Sequence, residues 1–273
     1  MYFITFTRKT GAGGSEIAWN VATQLGYSFY DTLAIENAAR EMGFAKDATE
    51  VEEKGPSLFA RFFSSKELEV HLNRLNSVVY ELASRGSAVF LGRGSHVLLR
   101  GLGLHVRVTA SQKTRAQNLV ARGLQEEAAL KAMHRSDHER EAFTKFAFGV
   151  DWDNPELYDI VLNMDHLTVD LAVDTVLHTA RSEEIKAHSV DAASALSMLA
   201  LRRRVEAALV EGGFSMDNLS LFVSGPGRVR LTGFTRTQSQ AAKAGDVVRG
   251  VRGVESVDSE IHIVPIEAYY PPH

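Results

Sequence analysis

The sequence predicts an α/β protein: a parallel sheet with helices on both faces, followed by a small α+β module in the order α-β-β-α-β. Three observations carry this reading. Short apolar runs alternate with amphipathic helical runs up to about Arg181, the pattern of strands joined by crossover helices. A glycine cluster separates the first strand-like run from the first helical one. After the polar stretch SEEIKAHS near residue 185 the order changes to helix, hairpin, helix, strand. The 273-residue length fits about two domains. We place them at 1–181 and 196–267.

Taken in order, Tyr2 to Phe6 mixes β-branched and aromatic types and reads as a strand. Gly11, Gly13 and Gly14 form the turn. In the helix that follows, Ile17, Val21 and Leu25 share one face, and Gly26 stops it. Tyr27–Asp31 reads as a short strand or extended segment, and Thr32 to about Gly43 as a helix. Phe44–Ser65 is mixed, with Gly55-Pro56 as a breaker. Lys66–Ser84 is an amphipathic helix with Leu68, Leu72, Leu75, Val79 and Leu82 on its apolar positions. Ser87–Gly92 and Leu104–Ala110 read as strands, the first a buried parallel one. Thr114–Arg122 and Glu126–Phe146 are helical, Tyr158–Met164 is a strand, and Thr168–Ala180 a helix. In the second module, helix Ala193–Val210 precedes two strands turned at Gly225-Pro226-Gly227. Helix Ser239–Arg249 and a strand in VESVDSEIHIVPI close it, and the tail AYYPPH reads as frayed.

Composition narrows the function. Apolar residues make up 45% of the chain and charged residues 23%, enough for a sizeable core. Thirty Lys and Arg against 34 Asp and Glu give a net charge of -4, so no global basic field draws in nucleic acid. The absence of cysteine excludes disulfides, thiolate metal sites and a Cys nucleophile. The apolar opening is too short for a signal-peptide core, and no run of 18 apolar residues suits a membrane span. The expected location is the cytoplasm.

The strongest chemical signal is TRKTGAGGSEIA, Thr7–Ala18. A glycine-rich turn from a strand into a helix presents backbone N–H groups and the positive end of a helix dipole to an anion. Against the full phosphate-loop pattern G-x-x-x-x-G-K-[ST], Arg8 stands at the first Gly and Gly13 matches the second. Gly14 stands at the Lys, and Ser15 matches the Ser/Thr. The same turn would also serve plain strand–helix packing. Arg93, directly after a buried strand, stands where parallel sheets place ligand contacts, and a guanidinium there can hold a phosphate by two parallel hydrogen bonds. Arg115, Arg122, Arg135, Arg140 and Lys145 recur through helical segments that form either a cationic lid or a solvated charged face. His134 and His138, with Asp137 beside them, lack a third metal ligand. Asp151 and Asp165 suit Mg²⁺-bound water or turn capping. No G-x-S-x-G and no H-E-x-x-H occurs, so hydrolase readings have little support.

Together, ITFTRKTGAGGSEIA, GYSFYD, FLGRGSHVLL, VRVTASQKTRAQ and FGVDWDNPELYDIVLNMDHL resemble the cytidylate kinase-like family over about residues 1–181. The resemblance implies a P-loop NTPase-type fold, ATP as donor and Mg²⁺ as metal. It implies that Arg8, Lys9, Gly11, Ala12, Gly13, Gly14 and Ser15 cradle the donor phosphates, with Ser15 near Mg²⁺. It also implies that Asp31 and Arg93 face the acceptor monophosphate, and that Arg122, Arg135 and Arg140 are lid cations with catalytic roles. The chain departs from the pattern at three places. Family members often carry Arg at the position of Ser15. Cytidylate kinases proper have GRD where Gly92-Arg93-Gly94 stands, and an Arg where Asn37 stands. LRRRVEAAL and LSLFVSGPGRVRLTGFTRTQSQAAKAGDVVRGVRGVESVDSEIHIV, within residues 196–267, resemble a BON domain, which implies a lipid or ligand partner such as an anionic lipid or small molecule. Arg202, Arg203 and Arg204 either touch such groups or form a solvated face. The expected activity is phosphoryl transfer from ATP to a nucleoside monophosphate, CMP included. The alternative is a non-catalytic nucleotide sensor that signals through the C-terminal module.

Overall fold

The computed structural model describes residues 3–44, 65–187 and 192–264. The mixed stretch at 45–64 and the tail from 265 lie outside the described residues. Its main sheet is centred on β1 (Phe3–Arg8). β1 pairs with β3 (Ala88–Leu91) on one side and β4 (Gly103–Thr109) on the other. β2 (Ser28–Tyr30) and β5 (Ile160–Asn163) close the two edges, so the order is β2-β3-β1-β4-β5 with every pairing parallel. This is the P-loop NTPase-type sheet. The chain leaves β1 towards β2, and β3 crosses back over β1 to β4. The strand order therefore reverses beside β1, and ligands bind at the carboxyl ends of strands at such a point.

Alternate strand residues feed opposite cores. Phe3 and Phe90 face α2 (Thr32–Glu41) and α3 (Ser65–Ser84), packing with Ile35, Leu75, Val79 and Leu82. Ile4, Phe6, Val106 and Val108 face α1 (Gly14–Leu25) and α7 (Val169–Arg181), packing with Ile17, Val21, Val173 and Val176. Each fully buried Phe or Ile contributes about 1.5–3 kcal/mol. Both faces are covered because both sets of strand side chains are apolar. Between the strands lie the one-turn α4 (Ser95–Leu98), α5 (Gln112–Ala121) and the long α6 (Glu126–Phe148). The first strand extends two residues past the predicted Phe6, which makes Arg8 the last residue of β1 rather than part of the turn. Part of the predicted linker forms the short helix α8 (Glu183–Ala187).

The C-terminal module consists of α9 (Ala193–Glu211), β6 (Leu219–Gly225), β7 (Arg228–Thr235), α10 (Gln238–Arg249) and β8 (Ser256–Ile263). β6 and β7 form the expected antiparallel hairpin, and β8 joins β7 in parallel. Leu201, Val205 and Leu209 of α9 pack on Leu219, Leu231 and Val248. The same helix serves the first core as well. Leu196 and Ala200 join the cluster around α3, and Ala207 and Val210 meet Val70. Polar pairs line this seam. Arg204 meets Glu81 at 3.3 Å, Glu211 meets Arg74 at 2.7 Å, and Arg203 donates to Asn73 at 3.3 Å. Arg202 and Arg203 both pair with the buried Glu206. Arg203 and Arg204 thus belong to a helix–helix seam rather than to a solvated face.

Candidate functional site

At the carboxyl end of β1 the chain turns through Lys9–Gly13 into α1. Gly13 caps the helix in the left-handed region (φ 82°) with no side-chain cap. The first amides of a helix have no intrahelical acceptor, so those of Gly14 and Ser15 suit an anion. Gly11 is required by contact: a Cβ there would lie 2.6 Å from the Arg115 carbonyl oxygen.

Two helices hold the turn. From α5, Asn118 Nδ2 donates to the Gly11 carbonyl at 2.9 Å, and Arg115 donates to the Thr10 carbonyl at 3.2 Å. From α6, Asp137 accepts the Thr10 N–H at 2.9 Å and Arg115 Nη1 at 2.5 Å. Arg140 Nη1 donates to Thr10 Oγ1 at 2.7 Å. The neighbouring strand ends in a second glycine turn, Gly92-Arg93-Gly94. Here Arg93 is itself left-handed (φ 56°) and buried. Its Nη2 donates to Oε1 of the buried Glu36, on α2, at 2.6 Å. Arg93 thus takes a carboxylate partner from 57 residues earlier in the chain.

Between these turns opens a cleft of about 450 Å³ lined by Arg8, Thr32, Arg93, Arg135, Glu139 and Arg140. Behind it, among Thr7, Arg8, His96, Arg140 and Trp152, lies a pocket of about 20 Å³, room for one water. Burial pushes the His96 imidazole down to about 3, with His105 and Arg107 adding to the effect, so the ring is neutral at pH 7. Burial also lowers His105, whose Nδ1 lies 2.7 Å from Thr5 Oγ1. Arg107, buried in β4, stacks 4.3 Å from the Trp152 ring and bonds the Trp152 carbonyl and Asp153. Asp153 in turn holds Lys9 at 3.3 Å.

Of the residues singled out in the sequence, Arg8, Arg93, Arg135 and Arg140 line the cleft, while Lys9–Ser15 form the turn and the start of α1 that follow Arg8 in the chain. Asp31 is placed differently: it caps α2, accepting the Ala34 N–H at 2.9 Å, while Thr32 lines the cleft. Arg122 ends α5 and pairs with Glu16 of α1 at 3.6 Å, away from the cleft lining. Asp151 accepts the Asp153 N–H within its own turn, and Asp165 accepts the Ser111 N–H at the start of α5, 54 residues away in the chain. The Ser111 hydrogen bond holds Asp165 below the usual carboxylate range. Among the described residues no cluster of three His, Asp or Glu suits a metal, and Asp137 clamps the loop instead of completing a His134–His138 site. The donor set near the loop still fits Mg²⁺, which keeps waters and substrate phosphates as most of its shell. The Ser15 hydroxyl lies exposed on the first turn of α1 beside that loop.

Sequence reasoning did not single out Glu36 or Arg107, and it noted Asp137 only beside two histidines rather than as the clamp on the loop. A Glu beside Ile35 on the buried face of an amphipathic helix was a readable signal for the first. The other two depend on tertiary placement.

The sequence model of the cytidylate kinase-like family matches residues 3–166, more than half the chain. The chain belongs to the cytidylate kinase-like family. Residues 199–265 match the BON domain model. A crystal structure of an uncharacterized protein from Eubacterium ventriosum shares the fold at 18% identity, with a TM-score of 0.54. The match covers 67% of this chain and 100% of that one. Shikimate kinase from Bacteroides thetaiotaomicron aligns at 12% identity over 65% of this chain and 97% of its own, with a TM-score of 0.40. Shikimate kinase from Acinetobacter baumannii, in complex with shikimate, aligns at 17% identity over 67% and 96%, with a TM-score of 0.38. No curated protein sequence matches the chain. Within this cytidylate kinase-like chain, the family match spans both glycine turns and the whole of α6.

Proposed function

We propose that this protein transfers the γ-phosphoryl group of ATP to a nucleoside monophosphate, with CMP the first acceptor to test. The observation that supports this best is the cleft lined by four arginines, of which Arg8 directly precedes the glycine loop and Arg140 donates to Thr10 within it. An anionic substrate beside an anion-binding helix end needs that density of positive charge. In phosphoryl transfer the protein's share is positioning and charge neutralisation, with little covalent chemistry.

In this reading the amides from Gly13 to Ser15 orient the donor phosphates, and the Ser15 hydroxyl contributes to the Mg²⁺ shell. When bound, Mg²⁺ supplies charge neutralisation on the phosphate oxygens. Arg93, fixed by Glu36, holds the acceptor phosphate from the other wall. Asp31 serves the acceptor side through the start of α2, and Arg135 and Arg140 neutralise charge that builds up in the cleft. Arg122 joins them only when α5 and α6 shift. Arg140→Ala should lower turnover by about 10²–10³, the usual loss for one transition-state donor. The BON-like module is proposed to bind an anionic lipid or small ligand, and the cytoplasm as location rests on the nucleotide substrates.

A non-catalytic sensor is the second reading. It is favoured by the seam between α9 and α3, because α3 leads straight into β3 and hence to Arg93. Coupled ADP release with a panel of nucleoside monophosphates separates the two. Turnover with any acceptor supports the kinase. ATP binding without turnover supports the sensor, and no binding at millimolar ATP overturns both.

A further inference from the structure

The two departures of the glycine loop from the full phosphate-loop pattern lie against each other. A Cβ on Gly14 would sit 2.5 Å from Arg8 Cβ, 3.3 Å from Arg8 Cγ and 3.1 Å from Val108 Cβ. The obstacle is the root of a strand residue, not the end of a flexible chain, so it cannot swing away. With any side chain at position 8, only glycine fits at 14. The converse also holds: the first Gly of the full pattern is what gives its Lys room.

The far end of Arg8 is placed just as closely. Its Nη1 lies 2.9 Å from where a Cβ on Gly92 would be. The side chain therefore runs from beside Gly14, at the start of α1, to Gly92, at the start of the Arg93 turn. It lines both the open cleft and the small pocket behind it.

We infer that Arg8 and Gly14 are one compensated exchange: the phosphate-loop cation carried on the helix in the full pattern is carried here on the strand, where Arg8 binds phosphate at the junction of the donor loop and the acceptor cleft. This rests on the phosphoryl-transfer reading for the identity of the ligand. A guanidinium suits the junction better than an ammonium because its planar fork offers parallel N–H donors to two anionic groups at once. The absent Lys is then no sign of lost activity.

The test is an exchange series on the full chain, reading MgATP affinity by calorimetry, ADP release, and Tm. Arg8→Met should keep the fold and lower MgATP affinity or turnover by about 10²–10³. Gly14→Lys alone should lower Tm and abolish MgATP binding, because the new side chain meets Arg8. Arg8→Gly combined with Gly14→Lys rebuilds the full pattern, GKTGAGKS. It should recover both Tm and MgATP affinity to within about tenfold of the native protein, where Arg8→Gly alone does not. Native-like affinity and turnover in Arg8→Met, or a double variant no better than Arg8→Gly or unable to fold, would overturn the inference. If the native protein binds no MgATP, the functional reading fails separately. The Tm arm still decides whether the two positions exchange.

Discussion

Two glycine turns sit side by side at the mouth of the sheet, one after β1 and one after β3, and they are used in opposite ways. Each ends in a left-handed glycine that starts a helix without a side-chain cap, Gly13 in the first and Gly94 in the second. After Gly13 a twelve-residue helix follows, and around Gly13 itself there is open space. After Gly94 the helix has only four residues, Ser95 and His96 are buried, and the Phe148 ring closes over the glycine. The first turn offers backbone amides. The second offers one side chain, Arg93, whose backbone is left-handed and whose guanidinium is held by Glu36. A glycine turn at a strand end is thus not a function in itself; what packs against it decides whether backbone or side chain faces the ligand.

The sharpest way to break this contrast is Glu36→Ala. It removes the carboxylate that the buried Arg93 bonds at 2.6 Å, and should cost about 1.5–3 kcal/mol in urea unfolding. Acceptor binding should fall far more than ATP binding; equal losses would mean that the two turns are not separately built. Gly94→Ala comes next. Its Cβ would fall 2.1 Å from Phe148 at a φ of 70°, and about 2–4 kcal/mol should be lost. A native-like melting curve would contradict the closed packing.

Lowering the pH should weaken the second turn without touching the first. His96 titrates near 3 in the folded chain against 6.5 unfolded, so the unfolded state binds more protons between those values. The stability from the neutral ring is complete above pH 6.5. It drains away as pH falls, at up to about 1.4 kcal/mol per pH unit. His105 adds in the same direction. Comparing urea unfolding at pH 7 and pH 5 should show a loss of about 2 kcal/mol that shrinks in His96→Asn. The smallest effect is expected at Gly13→Ala. With no atom within 4 Å of the new Cβ, only backbone strain of about 1 kcal/mol opposes it. The larger Gly13→Val should abolish nucleotide binding in a chain that still folds. Unchanged affinity there would reduce the loop to a packing turn.

Much of the architecture was legible in residue patterns because strand and helix periods are local properties. The alternation from Phe3 to Arg181 and the change of order after residue 185 both follow from them. The strand order was not, since nothing in Ser28–Tyr30 says that it lies beside Ala88–Leu91. That adjacency brings Glu36 to Arg93, so the ion pair was hidden with it. Asp137 drew notice only for its histidine neighbours, whereas its partners are Thr10 and Arg115, on other elements. The double packing of α9 is readable in its own residues. Leu196, Ala200, Leu201, Val205, Ala207, Leu209 and Val210 put apolar residues on more than one side of it. Such a helix is buried on more than one side.

That helix has a consequence for how the chain is made. The face of α3 that it covers is complete once Ser84 has been synthesised, but its cover ends only at Glu211. The intervening roughly 130 residues take about 6–25 s at ordinary translation rates, and for that time an apolar stripe including Val70 on the nascent chain has no native partner.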